Sequence, residues 1–201
     1  MIEWLMQIDT RLFLFLNGLN SESFDGIMFW ISGKTTWWPF YLLLLGFLGW
    51  KKRWQLAPMI LFIVLVVTLA DQTSVHLFKE VFQRLRPCKE PNLEGLVHLV
   101  NNRCPGRYGF VSSHAANTFA VATLLLFWVR RRWFTVVMVF WALLVGYSRI
   151  YLGVHYPGDV LAGSLLGFGC GWLVFWLFDL VMKKLPSTWW ITRSGGGDNS
   201  R

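Results

Sequence analysis

Basic, imidazole and carboxylate side chains cluster in three short stretches of this sequence, residues 79–87, 109–114 and 148–159. In the first stretch Lys79 and Arg86 are seven residues apart, which on a helix places both side chains on one face, about 10 Å apart along the axis. Two such cations form a site for an anion, and the arginine fork matches the oxygens of a phosphate group. Snorkelling toward lipid head groups is the alternative, and we favour it for Arg84.

The second stretch begins a helix with Ser112 and Ser113 and continues with His114. Serine at a helix start caps free N–H groups, and those N–H groups together with the helix dipole can also hold a phosphate. His114 then lies beside the anion and can donate a proton to a leaving oxygen. For this stretch alone, an ordinary serine cap with an interfacial histidine is the alternative.

The third stretch places Arg149, His155 and Asp159 within eleven residues. A carboxylate beside a histidine fixes its tautomer and raises its basicity, which leaves the other imidazole nitrogen free to attack phosphorus. Asp159 also suits the N-cap of the next helix, and the two roles are compatible. Together the three stretches supply the parts of metal-free phosphoryl transfer. No acidic cluster suited to a metal ion and no Walker-type glycine loop accompanies them in the sequence, so we expect neither metal nor cofactor.

Five apolar runs must position these stretches, and they cover residues 24–50, 56–82, 115–129, 133–152 and 160–182. Their lengths are close to the roughly 20 residues that a helix needs to cross a bilayer, although the third run is short. Because an open-ended segment in lipid satisfies its backbone only as a helix, we predict an all-α, polytopic bundle of five transmembrane helices. Gly33 and Lys34 indicate a break, a tilt or a protein-facing stretch in the first run.

The composition agrees with a membrane protein of one domain. Of 201 residues, 55% are hydrophobic and 15% charged, which excludes a disordered chain. The 13 tryptophans suit membrane–water interfaces. The net charge is +8, but the basic residues lie between apolar runs, so we expect membrane lipids and no nucleic acid as partners.

Three segments follow from this pattern. Residues 1–22 are amphipathic and predict a helix lying in the interface, with a sixth span as the alternative. Residues 23–185 form the transmembrane domain. Residues 186–201 are predicted to form an interfacial and disordered tail.

Basic clusters at residues 51–53, 130–132 and 183–184 would all lie on one side of the membrane if the five runs alternate. The positive-inside rule makes that side cytoplasmic, so the three reactive stretches face outward. Cys88 and Cys104 share the outward loop, where a disulfide would close about 15 residues and contribute about 3 kcal/mol; two free thiols are the alternative.

Two further features lie within the apolar runs. Gly163, Gly167 and Gly171 form a small-residue face that favours helix packing inside the protein, with dimerisation as the alternative. Asp71 lies mid-run and predicts a hydrogen-bond network between helices, with a proton or ion path as the alternative.

These stretches resemble the motifs of the type-2 phosphatidic acid phosphatase family, which shares its active-site pattern with vanadium haloperoxidases. The motifs K-x6-RP and SR-x5-H-x3-D match in full, from Lys79 to Pro87 and from Ser148 to Asp159. The family's PSGH motif departs, because Val111 replaces proline and Ser113 replaces glycine. The resemblance covers about residues 56–182.

The resemblance implies a role for each site residue. His155 attacks phosphorus, Asp159 orients His155, and His114 protonates the leaving group and later activates water. Five residues would bind the phosphate, and they are Lys79, Arg86, Ser112, Ser113 and Arg149.

The resemblance also implies a metal-independent lipid phosphatase of the bacterial inner membrane, with its site facing the periplasm or exterior. We rank undecaprenyl pyrophosphate first as substrate, phosphatidylglycerol phosphate second and lipid A 1-phosphate third. A lipid phosphotransferase and a non-enzymatic lipid or anion transporter are the competing functions. The oligomeric state stays open.

Overall fold

The computed structural model describes residues 2–52 and 55–184, and the regular structure in these ranges is helical. In chain order the helices are α1 Ile2–Gly18, α2 Glu22–Ile31, α3 Trp38–Lys52, α4 Leu56–Gln72, α5 Glu80–Phe82, α6 Ser113–Val129, α7 Arg132–Tyr151 and α8 Pro157–Lys184. A π-helical segment, Thr73–Lys79, joins α4 to α5, so that Leu56–Phe82 is one continuous helix of 27 residues. The predicted all-α fold is confirmed. The predicted tail, residues 186–201, lies outside the described residues.

Three helices in the described ranges are long and apolar enough to cross a membrane, and they are Leu56–Phe82, Arg132–Tyr151 and Pro157–Lys184. The apolar α6 has 17 residues, just under the usual length of a span. Large apolar side chains such as Leu61, Phe140 and Leu165 are exposed on these helices, as contact with lipid requires. The transmembrane helix bundle is thus confirmed in outline, whereas the number of spans stays a prediction.

The break predicted near Gly33 is confirmed. Helix α2 ends at Ile31, and a 3-10 turn, Thr35–Trp37, leads into α3. The indole N–H of Trp37 donates to the Ile31 carbonyl oxygen at 2.8 Å, which fixes the turn. Ser32 is buried at this break and Lys34 lines an internal cavity, so the break carries polar groups into the bundle.

Helix α6 lies at the centre of the bundle, against α4, α7 and α8. A Cβ on Gly163 would come within 2.6 Å of the Ser112 carbonyl oxygen, and one on Gly171 within 2.7 Å of the Ala120 carbonyl oxygen. The glycine face of α8 therefore packs directly on the backbone of α6, which confirms its predicted role in packing within the protein.

Helix α1 packs against α7 and α8. Phe13 is fully buried, with its ring 5.4 Å from the Tyr156 ring between centroids. The buried amide of Asn17 donates to the carbonyl oxygens of Ile150 and Tyr151 at 3.2 and 2.8 Å. These contacts anchor α1 to the end of α7, while its position relative to the lipid surface stays a prediction.

The loop between α5 and α6 holds the first reactive stretch against the second. A disulfide joins Cys88 to Cys104, as predicted. The Arg86 amide donates to the Arg107 carbonyl oxygen at 3.2 Å, and the Gly109 amide donates to the Arg84 carbonyl oxygen at 2.8 Å. The loop backbone thereby sets where the arginines lie relative to the start of α6.

Candidate active site

His155 lies in the turn between α7 and α8 and is fully buried. Its Nδ1 is 3.4 Å from Oδ2 of Asp159, and its Nε2 is 2.8 Å from Nη1 of Arg86. Because a guanidinium can only donate, Nε2 must accept this hydrogen bond, and the imidazole proton must lie on Nδ1. The proton on Nδ1 faces the carboxylate of Asp159, and the Nε2 lone pair becomes free for attack on phosphorus once Arg86 turns to another acceptor.

The charge state of His155 also suits a nucleophile. Burial, together with the positive charges of Arg86 and Arg149, holds the pKa of the His155 imidazole well below its ordinary value. A histidine with a lowered pKa is unprotonated near pH 7, so its lone pair is not lost to a proton.

Asp159 lies in the first turn of α8, and its side chain is completely buried. Its Oδ2 accepts from the amide of Tyr156 at 3.0 Å and also contacts His155. Asp159 is therefore not the N-cap that the sequence predicted, because it is the third residue of α8 and bonds back to the residue before the helix. The Asp159 carbonyl oxygen accepts from the amide of Ser112 at 3.0 Å. This bond ties the start of α8 to the start of α6, which brings the second and third stretches together.

A cavity of about 610 Å³ opens beside His155. The predicted site residues that line it are Lys79, Arg86, Ser113, His114, Arg149 and His155. The ammonium of Lys79 is 2.5 Å from the hydroxyl of Ser113, and Nη1 of Arg149 bonds the hydroxyl of Ser32. The three predicted cations and both histidines therefore meet at one cavity.

Two donors at this cavity have no protein acceptor in the described part of the chain. They are Nε of Arg86 and Nε of Arg149, both buried. A buried charged donor without an acceptor is costly, so such groups are normally satisfied by a ligand or water. An oxyanion in the cavity beside Arg86 and Arg149 would offer acceptors to their guanidinium groups.

Ser112 is not among the residues that line the cavity. Its side chain is fully buried and accepts from the Ala115 amide at 3.4 Å, as the N-cap of α6. The role of Ser112 as a phosphate ligand stays a prediction, whereas the hydroxyl of Ser113 faces Lys79.

The cavity continues away from these polar groups between apolar side chains. Its far wall includes Leu44, Leu48, Ile63, Val67, Val121, Leu125 and Trp141, which come from α3, α4, α6 and α7. Such a wall repels water and suits a hydrocarbon chain. One cavity thus joins a cationic end to an apolar arm.

The mid-membrane Asp71 hydrogen-bonds across helices, as predicted. Its Oδ1 accepts from the side-chain amide of Asn117 on α6 at 3.1 Å. Both residues also line the cavity, between its charged end and its apolar arm.

The snorkelling interpretation of Arg84 is wrong. Its Nη1 is 3.0 Å from Oδ1 of Asp159 and 2.8 Å from Oδ2 of Asp9, and its guanidinium lies 3.9 Å from the centre of the Tyr156 ring. Two buried carboxylates attract this cation inward, which the spacing along one helix could not reveal.

Other site residues were missed by sequence reasoning. Lys34 and Ser32 reach the cavity from the break after α2, and a charge inside an apolar run was the signal available. Gly109 lies so close to the catalytic pair that a Cβ there would be 3.0 Å from Oδ2 of Asp159. Gly109 begins the second stretch, but the sequence assigned it no role, and a glycine at this position was the only hint of that approach.

Comparison with known proteins agrees with this geometry. The PAP2 superfamily matches residues 59–183, which is more than half of the chain. A lipid A 4'-phosphatase of Bacteroides thetaiotaomicron is 39% identical over 98% of this chain and 88% of its own length. An undecaprenyl-diphosphatase of Sulfolobus acidocaldarius is 31% identical over 83% of this chain and 75% of its own length.

A solved structure shares the fold as well. The crystal structure of Aquifex aeolicus LpxE matches with a TM-score of 0.61 at 28% identity, over 82% of this chain and 93% of that one. The chain therefore belongs to the PAP2 superfamily, as the motifs indicated, and it is a membrane lipid phosphatase.

Proposed function

We propose that this phosphatase works through a phosphohistidine on His155. In the first step, Nε2 of His155 bonds to phosphorus, the P–O bond to the lipid breaks, and His114, protonated in the complex with the anionic substrate, gives its proton to the leaving oxygen. In the second step, water attacks phosphorus, the P–N bond breaks, and His114 takes the proton of that water. Phosphate leaves, and both histidines return to their starting states.

One observation carries this mechanism. Nε2 of His155 lies 2.8 Å from a guanidinium at a cavity where two buried arginine donors lack protein acceptors. A phosphate in the cavity beside Arg86 and Arg149 would be bound by their guanidinium groups and would present its phosphorus to Nε2. Since phosphoryl transfer depends on positioning and charge stabilisation, Lys79, Arg86 and Arg149 would supply most of the catalysis.

We propose the 4'-phosphate of lipid A as the substrate. The apolar arm of the cavity supports a lipid with hydrocarbon chains, and the Bacteroides relative, named a lipid A 4'-phosphatase, aligns over nearly the whole chain. Undecaprenyl pyrophosphate, which ranked first on sequence alone, becomes the second candidate. It is supported by the more distant Sulfolobus relative.

The inner membrane, with the site facing the periplasm, is the location that this substrate would require. The basic clusters at residues 51–53, 130–132 and 183–184 support this orientation, since they favour the cytoplasmic side.

Phosphate release from a lipid panel tests the proposed function. Wild type, His155→Ala and His76→Ala would each be purified in detergent and supplied with lipid A, undecaprenyl pyrophosphate and phosphatidylglycerol phosphate. His76 is a suitable control, because it is exposed and bonds only Gln72 and Glu80 on its own helix. We expect release by wild type and His76→Ala, with the highest kcat/KM for lipid A, and none by His155→Ala.

Two results would count against the proposal. A higher kcat/KM for undecaprenyl pyrophosphate would overturn the substrate but keep the enzyme class. Undiminished release by His155→Ala would overturn the mechanism.

A further inference from the structure

The guanidinium of Arg84 lies between two carboxylates from opposite ends of the chain. Nη1 of Arg84 is 3.0 Å from Oδ1 of the catalytic Asp159 and 2.8 Å from Oδ2 of Asp9 on α1. Its side chain is 17% exposed and that of Asp9 is 15% exposed, so these are largely buried ion pairs. The Tyr156 ring, 3.9 Å from the guanidinium, covers one face of it.

Asp9 also binds the backbone next to the catalytic turn. Its Oδ1 accepts from the amide of Gly158 at 2.7 Å, directly before Asp159. A Cβ on residue 158 would come within 2.6 Å of Oδ2 of Asp9, so this close approach depends on glycine. Asp9 therefore holds both the side chain that contacts Asp159 and the peptide that precedes it.

From these contacts we propose that Asp9 and Arg84 are positioning residues, which hold the carboxylate of Asp159 in place to orient His155. Helix α1 lies outside the range that the superfamily matches, and through Asp9 it would support the active site. The proposal rests on the function proposed above and extends it to Asp9, which lies outside the motifs, and to Arg84, at a position that the first motif leaves unspecified.

The bonding of Asp159 explains why two further residues are needed. Its Oδ2 is shared by the Tyr156 amide and Nδ1 of His155, and its Oδ1 bonds Arg84. Without Arg84, Oδ1 would be a buried charge with one fewer partner, and the carboxylate could rotate away from the imidazole. Without Asp9, the Arg84 side chain could turn toward solvent and lose its hydrogen bond to Asp159.

A direct role of Arg84 on phosphate is the competing explanation. The two explanations predict different kinetics, because a phosphate ligand lost from the substrate complex raises KM, whereas a misplaced orienting carboxylate lowers kcat. The contacts favour positioning, since the Nη1 of Arg84 bonds two carboxylates and the predicted phosphate arginines at the cavity are Arg86 and Arg149.

The test compares kcat and KM of Arg84→Gln, Arg84→Lys and Asp9→Asn with those of matched controls. Arg107→Gln and Glu3→Gln are the controls, because each replaces an exposed side chain of the same type on the same loop or helix. We expect Arg84→Gln and Asp9→Asn to lower kcat about 10- to 100-fold with KM within about twofold, by analogy with supporting groups in other active sites. Arg84→Lys should restore part of the loss, and the controls should match wild type.

A double variant makes the test independent of overall stability. Because Asp9 acts in part through Arg84, Arg84→Gln with Asp9→Asn should lose less kcat than the product of the two single losses, which is a non-additive result. Unchanged kcat in Arg84→Gln, or a raised KM with unchanged kcat, would overturn the proposal. If Arg84→Gln does not fold, the milder Asp9→Asn and Arg84→Lys decide in the same way.

If the proposed function is wrong, the experiments give a different set of results. If wild type releases no phosphate from any lipid, the function is wrong, and the positioning role is then decided by the 15N spectrum of His155 in histidine-labelled protein. We expect one Nδ1–H tautomer in wild type and in Arg107→Gln, and mixed tautomers in Arg84→Gln. An unchanged tautomer in Arg84→Gln would overturn the positioning role.

Discussion

His155 is held from both sides by groups that prepare it for attack on phosphorus. Asp159 faces Nδ1 and Arg86 donates to Nε2, so both the tautomer and the ring orientation are set within the folded chain. When phosphorus bonds to Nε2, the Arg86 donor must move from the nitrogen to a phosphate oxygen. The same side chain would then stabilise the charge that develops during transfer.

Replacing each of the two histidines by alanine should reduce activity to a different extent. We expect His155→Ala to abolish turnover, because no other imidazole among the described residues bonds a site arginine. His114→Ala should lower kcat about 100- to 10,000-fold, the usual contribution of a general acid. Phosphate release by both variants beside His76→Ala checks this, and full activity in either would contradict the assigned roles.

Metal chelation should leave the activity intact. Three cations and the start of α6 surround the site, and they can offset the phosphate charge that a divalent ion offsets in other phosphatases. We expect equal rates of phosphate release with and without EDTA. Loss of activity that one divalent metal restores would mean that a metal site takes part.

At the scale of elements, the contact between α6 and α8 aligns two motifs. Gly163 of α8 lies against the backbone of Ser112, whose amide bonds the Asp159 carbonyl oxygen. Any displacement of α8 here therefore moves Asp159 relative to His114.

Gly163→Ala should disturb both stability and activity. Its Cβ would be 2.6 Å from the Ser112 carbonyl oxygen, and overpacking of this kind costs about 1–3 kcal/mol. The midpoint temperature of thermal unfolding in detergent and the kcat should both fall. Gly169→Ala is the matched control on the same helix, since nothing lies within 4 Å of its Cβ, and an equal effect at both positions would contradict the packing account.

Motif spacing predicted the cationic and histidine residues because each motif is local in sequence. His155 and Asp159 fall into place once the turn before α8 forms. Lys79 and Arg86 do not share one helix face, as the spacing predicted, because the helix ends at Phe82 and Arg86 lies in the loop that follows. The partners of Arg84 were not predictable in this way, because Asp9 and Asp159 approach it only through tertiary packing. Lys34 was interpreted only as a sign of a break in the first apolar run. Nothing in a single sequence indicates that α2 and α3 close one side of the cavity.

At the scale of the whole molecule, the bundle combines a polar site near its helix ends with an apolar arm between helices. This arrangement lets a lipid keep its chains among apolar side chains while its phosphate reaches buried arginines. A soluble phosphate ester would make no use of the apolar arm, so we expect it to be a poorer substrate than a lipid.

The orientation of the bundle gives a prediction at the same scale. Asn92→Cys in the loop after α5 should react with a membrane-impermeant maleimide on intact spheroplasts, and Trp133→Cys at the start of α7 should react only after lysis. Both positions are exposed, Cys88 and Cys104 are paired, and Cys170 is buried, so the introduced thiol should dominate. The reverse labelling pattern would place the site in the cytoplasm.

Trapping the phosphoenzyme tests the central claim most directly. Wild type and His114→Ala would be mixed with 32P-labelled lipid A, quenched in alkali, in which a phosphoramidate survives, and mapped by mass spectrometry. We predict label on His155, absent from His155→Ala. Release of phosphate by wild type without any label on His155 would contradict the account, because water would then attack the lipid phosphate directly.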